Sequence, residues 1–400
     1  MPGEENPEET YSPVGCDGLT HFTRTVFGSL PRADQRRWAE VYLRGLLKVQ
    51  GRKSIRNIAD AVLADTSATQ SLQQFVNQSP WDWGPVRARL ALNAHRLVRP
   101  TAWIIENSVI PKRGEHSVGV EPRFVPHQGR TVNSQLGISI VAADDFTCFP
   151  LNWRLHLSNR WLADQNKRAR TRIPDSIEAR SEMELALEML DELTTGWGIS
   201  PVPPIVTGAK PDDALTLAEG LLSRSRSFLI QIEGNVEALL GSPSLAVQTA
   251  CSFPPIRTDS LRRPDRARRD RPQRPLVVVG STADTRRQPQ IRHVTTALLR
   301  PQSREHRSLE DASVRLVREQ VAGRRMGHAW LTNLPASAIG DIAAIQRLCH
   351  YTRSAIRQFE DRFGLRDFEG RSFPGWHHHL TLVSAAALFS ALGESTRQSA

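Results

Sequence analysis

The chain is poor in cysteine and has neither a long apolar run nor an internal repeat. Its 400 residues hold 4 cysteines, Cys16, Cys148, Cys251 and Cys349, and no two of them form a CxxC or CxH pair. That spacing argues against a zinc site and against a disulfide framework, and free thiols fit a reducing cytoplasm. No run of about 18 apolar residues occurs, so no membrane-spanning helix is expected. The acidic opening Met1-Pro2-Gly3-Glu4-Glu5 lacks the apolar segment of an export signal. The absence of a repeat excludes a solenoid.

What the chain does have is positive charge, +10 in formal terms. This favours an anionic partner, and nucleic acid ranks ahead of a membrane surface because no basic amphipathic helix is evident. A general arginine bias of composition is the other reading. Apolar residues make up 39% of the chain, enough for one large core or two to three domains.

Residues 1–18 are rich in Glu, Pro, Gly and Ser and read as a flexible tail. Residues 19–99 read as a helical domain. Trp38, Val41, Tyr42 and Leu46, then Ile55, Ile58, Ala59 and Val62, then Leu72, Phe75 and Val76 recur at helical spacing. Ser54–Val62 and Ala68–Asn77 have the proportions of a helix-turn-helix, with Arg52, Lys53 and Arg56 nearby to meet phosphates. A small helical bundle without groove contact fits the same pattern. From residue 100 to 240 the spacing changes. Strand-like runs at Trp103–Ile105, Gln135–Ala142 and Cys148–Leu157 precede a helix over Ser181–Thr194 and strands at Ile205-Val206 and Phe228–Ile232. That succession predicts an α/β domain with a mixed sheet. Residues 241–336 read as an insertion with strand-like runs at Leu276–Val279 and Trp330-Leu331, and 257–275 are dominated by Arg and Pro. Arg262, Arg263, Arg266, Arg268 and Arg269 there form either a phosphate-contacting arm or a solvated loop. Residues 337–400 read as the C-terminal helices of the same α/β core, with a helix from Ile339 through Phe363 and an all-round apolar stretch at Leu380–Leu392.

Three positions lie where an α/β enzyme of this layout places acidic residues: the strand end Trp103-Ile104-Ile105-Glu106-Asn107-Ser108, the strand end Ile205-Val206-Thr207-Gly208, and the late helix His350-Tyr351-Thr352-Arg353-Ser354. Glu106 is the one carboxylate among these core positions, and one carboxylate is a weak magnesium site.

Several stretches together resemble the DDE-type insertion-sequence transposases. They are Gln70–Phe75 with Ser79–Asp82, Lys112–Val120, Leu151–Leu157, Trp330–Pro335, and Phe368–His379 with Gly364-Leu365 before it. Their order and spacing, over about His21 to Glu394, carry the resemblance. It implies a ribonuclease-H-like mixed sheet, a helical N-terminal domain and a β-rich insertion before the last catalytic helix. It also implies two divalent ions held by Asp, Asp and Glu, which activate a water or a 3′-hydroxyl and stabilise the leaving oxygen. Set against the flanking motifs, the first Asp falls on Glu106, the second on Gly208 and the Glu on Arg353.

Glu106 keeps a carboxylate, Gly208 offers no ligand, and Arg353 sets a permanent positive charge against a dication. Neither a catalytic residue nor a metal ligand is therefore assigned, and no cofactor is expected; magnesium enters only if residual transposase activity exists. Asp212, Asp213, Glu360, Asp361, Asp144 and Asp145 are the neighbours from which a migrated acidic cluster would be drawn. Consecutive side chains on a helix point about 100° apart, so His377-His378-His379 reads as a packing corner and not a metal centre. Lys112 and Arg113 resemble DNA-phosphate contacts.

The expected function is that of a catalytically inactive homologue that binds DNA, in the bacterial cytoplasm with the nucleoid, with a homodimer left open. The alternatives are an enzyme that reuses the cleft for an anionic small molecule and a residually active metal-dependent DNA transposase.

Overall fold

The computed structural model describes residues 16–63, 68–125, 128–144, 147–233, 245–256, 292–301, 314–321, 329–334 and 342–399. Among these, one compact unit joins the residues up to Leu90 with those from Gln358 onward, and a second holds those from Ala91 to Arg357.

The first unit opens with helices α1 (Cys16–Val26), α2 (Ala33–Lys48), α3 (Ile55–Leu63) and α4 (Ala68–Asn77), and α5 (Gly84–Val98) starts within it. The helical spacing seen in the sequence is largely the burial pattern: Val41, Tyr42, Leu46, Ile58, Ala59, Leu72, Phe75 and Val76 are buried, while Trp38, Ile55 and Val62 are half-buried. At Gly45 α2 approaches α3 closely, since a methyl group there would collide with Ile58.

The second unit is built on β1 (Ala102–Pro111), whose first five residues are buried. Along the chain follow β2 (Glu121–Val125), β3 (Arg130–Ala143), β4 (Cys148–Leu155), α6 (Asn159–Leu162), α7 (Gln165–Thr171), α8 (Glu182–Asp191), β5 (Pro204–Ala209), α9 (Pro211–Leu222) and β6 (Leu229–Ile232). Then come β7 (Leu245–Ile256), β8 (Arg292–Pro301), β9 (Val314–Val321), β10 (Ala329–Thr332) and α10 (Ile342–Phe363). The strands form one sheet in the order β2-β3-β1-β5-β6-β10-β9-β8-β7, with β4 also paired to β3. Strands β3 and β4 continue antiparallel from β1, while β5 runs parallel to β1 and β6 parallel to β5. The succession β4-β3-β1-β5-β6 is the ribonuclease-H-like arrangement, and the fold class is the expected one.

Local chemistry explains the helix starts. Ser181 and Glu184 close a reciprocal capping box at α8. Helix α9 begins with Pro211 and carries Asp212 and Asp213 in its first turn, where the helix dipole favours them. Helix α10 lays Leu348, Cys349, Ala355 and Ile356 on a core shared with Ala102 and Ile104 of β1, Ile205 of β5, Leu229 of β6 and Trp330 of β10.

Two features differ from the sequence reading. Strand β10 pairs with β6 on one side and β9 on the other, so the strands of 241–336 lengthen the main sheet. The last helix, α11 (Phe373–Ser399), packs against α1, α2 and α4, which places the C-terminal segment with the N-terminal helices. The run Leu276–Val279 lies outside the described residues.

The start of α11 is tied to these helices by its three histidines. His377 Nδ1 lies 3.2 Å from Arg87 Nη2. His379 lies 3.0 Å from the Tyr42 hydroxyl through Nδ1 and 3.0 Å from the Gly364 carbonyl through Nε2. Both ring nitrogens of His378 face carbonyl oxygens, Val76 O at 2.8 Å and Trp81 O at 2.8 Å. A neutral ring donates to one of these and a doubly protonated ring to both. The same ring stacks on Trp81 with centroids 3.9 Å apart. His378→Phe keeps a ring but takes the donors from two buried carbonyls, and it is expected to cost about 3 kcal/mol in denaturant unfolding. The surface control Arg56→Ala is expected to stay within about 0.5 kcal/mol.

Candidate functional site

Glu106 lies halfway along β1, opposite Ser139 of β3, and is only 7% exposed. Its strand neighbours Ile104 and Ser108 share its face of the sheet, because strand side chains alternate. Ile104 pairs with Ile205 and Ile105 with Val206, so Thr207 stands level with Glu106 on the neighbouring strand. Helix α10 brings Arg353 over both. Its Nε lies 3.5 Å from Glu106 Oε2 in an ion pair, and its Nη2 donates a hydrogen bond to the Thr207 hydroxyl. The second carboxylate oxygen, Oε1, is buried with no hydrogen-bond partner among the described residues.

Burial pushes the Glu106 carboxyl above its ordinary value, against the opposing charge and hydrogen bond of Arg353 and the charge of Arg357. Burial, reinforced by the charge of Glu106, pushes the Cys349 thiol up to about 12, which leaves it an inert core group.

Gly208 has a backbone φ of +75°, in the region that favours glycine, at an irregularity in the pairing of β5 with β6. A Cβ there would stand 3.2 Å from Glu233 Oε2. The structure thus brings Glu106 and Arg353 into direct contact. Gly208, the third sequence position, contributes backbone geometry while Thr207, one residue earlier, supplies the side chain in contact. The sequence reading missed Thr207, although strand alternation from Ile205 pointed to it.

The residues do not fit a pair of divalent ions. Of the three sequence positions Glu106 alone carries a carboxylate, its charge is engaged by a guanidinium, and although Glu233 stands beside Gly208, no group of three or more metal-ligating side chains occurs among the described residues. The neighbouring acids stand in other settings. Asp212 and Asp213 open α9, Asp144 accepts from Thr147 N at 2.6 Å in the β3–β4 turn, and Glu360 is ion-paired with Arg366. Asp361 is exposed, and Asp145 lies outside the described residues.

The cations expected at phosphates divide by exposure. Arg52 is exposed and paired with Glu369 at 2.9 Å, and Arg56 is exposed 3.9 Å from Asp60. Arg113 is exposed and Lys112 half-buried, its backbone N–H donating to Asn133 O at 2.9 Å. Lys53 departs from the expectation: it is 4% exposed, its ammonium donates to Val49 O, and its backbone N–H donates to Asp367 Oδ2 at 2.7 Å. Its aliphatic stem is packed beside Gly364, so its charge is turned inward. Arg262, Arg263, Arg266, Arg268 and Arg269 lie outside the described residues.

Glu106, Thr207 and Arg353 thus meet where β1, β5 and α10 of a ribonuclease-H-like sheet come together. Residues 25–302 match the family described as DDE superfamily endonuclease, and the chain belongs to that family. Among solved structures, the piggyBac transposase in a synaptic complex with hairpin DNA is similar, with 12% identity, 97% of this chain and 75% of that chain covered, and a TM-score of 0.41. No curated protein matches. Among the described residues, no helix is long and apolar enough to cross a membrane.

Glu106 holds its proton to higher pH in the folded chain than in the unfolded one. Stability from this site is therefore greatest below the ordinary carboxyl value and falls as pH rises through the raised folded value. Unfolding midpoints measured across that window are expected to show this fall in the parent protein and to lose it in Glu106→Gln; parallel profiles would refute the assignment. Arg353→Ala strips the countercharge from a buried carboxylate. The loss expected at neutral pH is about 1–2 kcal/mol, less than for a fully buried pair because Arg353 faces solvent in part.

Proposed function

We propose that this chain is a DDE transposase homologue that has lost strand-cleaving chemistry and acts as a DNA-binding protein, regulating nearby genes or related mobile elements. The observation that carries this reading is the guanidinium of Arg353 against Glu106, at 3.5 Å. Two-metal cleavage places two dications about 4 Å apart, and several carboxylates are needed to offset their repulsion. A guanidinium keeps its positive charge throughout the range in which proteins stay folded. Here that fixed charge takes the role of a cation beside the surviving carboxylate.

DNA affinity does not depend on those acids. It comes from Lys and Arg neutralising phosphates, and the net charge of +10 supports it. Arg52, Arg56 and Arg113 are exposed cations suited to this work. Arg262, Arg263, Arg266, Arg268 and Arg269 are proposed to join them on grounds of sequence. The protein is cytoplasmic and nucleoid-associated in this reading. Arg353 already serves Glu106 and Thr207, which weighs against a cleft rebuilt for an anionic small molecule.

Two assays decide the matter. A random-sequence duplex is expected to be retarded in a gel at low salt, with affinity falling at least about tenfold between roughly 50 and 200 mM salt. Supercoiled plasmid incubated with magnesium or manganese is expected to stay uncut. Metal-dependent nicking that Glu106→Ala abolishes would overturn the reading, as would failure to retard any duplex at low salt.

A further inference from the structure

Among the described residues, Phe124 is the one large apolar side chain left exposed, at 65%. A lone surface ring needs no explanation by itself; the place of this one does. Phe124 belongs to β2, the terminal strand of the sheet path, and faces Thr131 across the β2–β3 ladder, with Pro122 facing Asn133. On β3, Thr131 and Asn133 have the same parity as Ser139, the partner of Glu106, and the β1–β3 ladder runs without a register shift. Since side chains alternate strictly along a strand, Phe124, Thr131 and Asn133 lie on the face of the sheet that carries Glu106. Lys112 extends this row beside Asn133, six residues beyond Glu106 and about 20 Å along the strand. Arg113 and Arg130 stand exposed at the same end of the sheet.

An exposed ring beside hydroxyl, amide and cationic side chains is the chemistry that grips nucleic acid. The cations meet phosphates, while an apolar wedge enters between base steps or stacks on an unpaired base. A second copy of the chain adding to the β2 edge is less suited, because Pro122 has no backbone N–H to donate and proline on an edge blocks strand pairing.

We propose that the β2–β3 hairpin is a DNA-contacting element in which Phe124 wedges against bases while Lys112, Arg113 and Arg130 hold the flanking phosphates. This rests on the DNA-binding reading above and extends it to a specific surface. Loss of catalysis does not affect it, because none of these residues belongs to the Glu106 cluster.

The test uses the full chain and a fluorescently labelled random-sequence duplex at low salt, followed by anisotropy. Phe124→Ala is expected to weaken binding roughly tenfold while leaving the slope of log affinity against log salt unchanged, since a ring releases no counterions. Lys112→Ala is expected to lower that slope by about one. Phe124→Tyr keeps the stacking face and is expected to bind within about twofold of the parent. In a duplex carrying 2-aminopurine, parent protein should raise the fluorescence by unstacking the base and Phe124→Ala should not. Because the ring is exposed, Phe124→Ala should melt with the parent. Affinity of Phe124→Ala within about twofold of the parent would overturn the proposal. So would a dimer that falls to monomer in sedimentation when Phe124 is replaced, which would assign the face to a second copy. A parent protein that binds no duplex removes the DNA-binding reading itself, and the wedge with it.

Discussion

A carboxylate on the central strand of a sheet needs a countercharge nearby if it is to stay ionised, and α10 supplies one to Glu106. Strand β1 is buried along its first five residues, so the acid it carries is largely cut off from water. Taking such a group from water into the interior is expensive, and a hydrogen-bonded partner returns part of that cost. Arg353 is placed for the task because Cys349 and Ile356, about one turn to either side, hold the helix on the core that contains Ile104 and Ile205. The ion pair and the apolar face of α10 therefore fix one register together. The helix cannot slide by a turn without stranding the charge or exposing the core.

Much of this architecture was legible in the sequence, and the reasons are specific. Helices α2, α3 and α4 each carry an apolar stripe at the helical period, and β1, β3 and β4 are dense in residues that fit a pleated buried surface. The meeting of Glu106 with Arg353 was legible through the family pattern alone, since nothing local to either residue points to the other across so long a stretch of chain. Thr207 escaped because its strand is short, and Thr-Gly at a strand end reads as the start of a loop. Pairing with β1 is what extends the strand past Val206 and sets the threonine beside the acid. Helix α9 hid behind Pro211-Asp212-Asp213, which resembles a turn, although proline at the first helical position followed by acids is also how a helix begins. Lys53 was placed at phosphates because it stands with Arg52 and Arg56 beside the helix pair Ser54–Val62 and Ala68–Asn77. Asp367, distant in sequence, makes its position tenable.

The Phe368–His379 signature has a physical reading as well as an ancestral one. Its three histidines are buried, and they diverge to Arg87, to the Val76 and Trp81 carbonyls, and to Tyr42 and Gly364. Imidazole suits such a corner because one flat ring can stack on an indole and hydrogen-bond from both edges. A motif of this kind reports how the last helix is seated among the first ones, and that requirement persists whether or not the chain cuts DNA.

The contact between Arg353 and Glu106 also sets the terms on which the site can change. Replacing Arg353 by glutamate alone would set a second carboxylate against the buried Glu106 and leave Arg357 as the remaining positive charge acting on it. Replacing Gly208 by aspartate alone would force a side chain onto a backbone at φ +75° and into the reach of Glu233. The two positions are therefore constrained in different ways: charge acts at 353 and backbone conformation at 208, so an acid introduced at either one alone works against the arrangement that Glu106 now has.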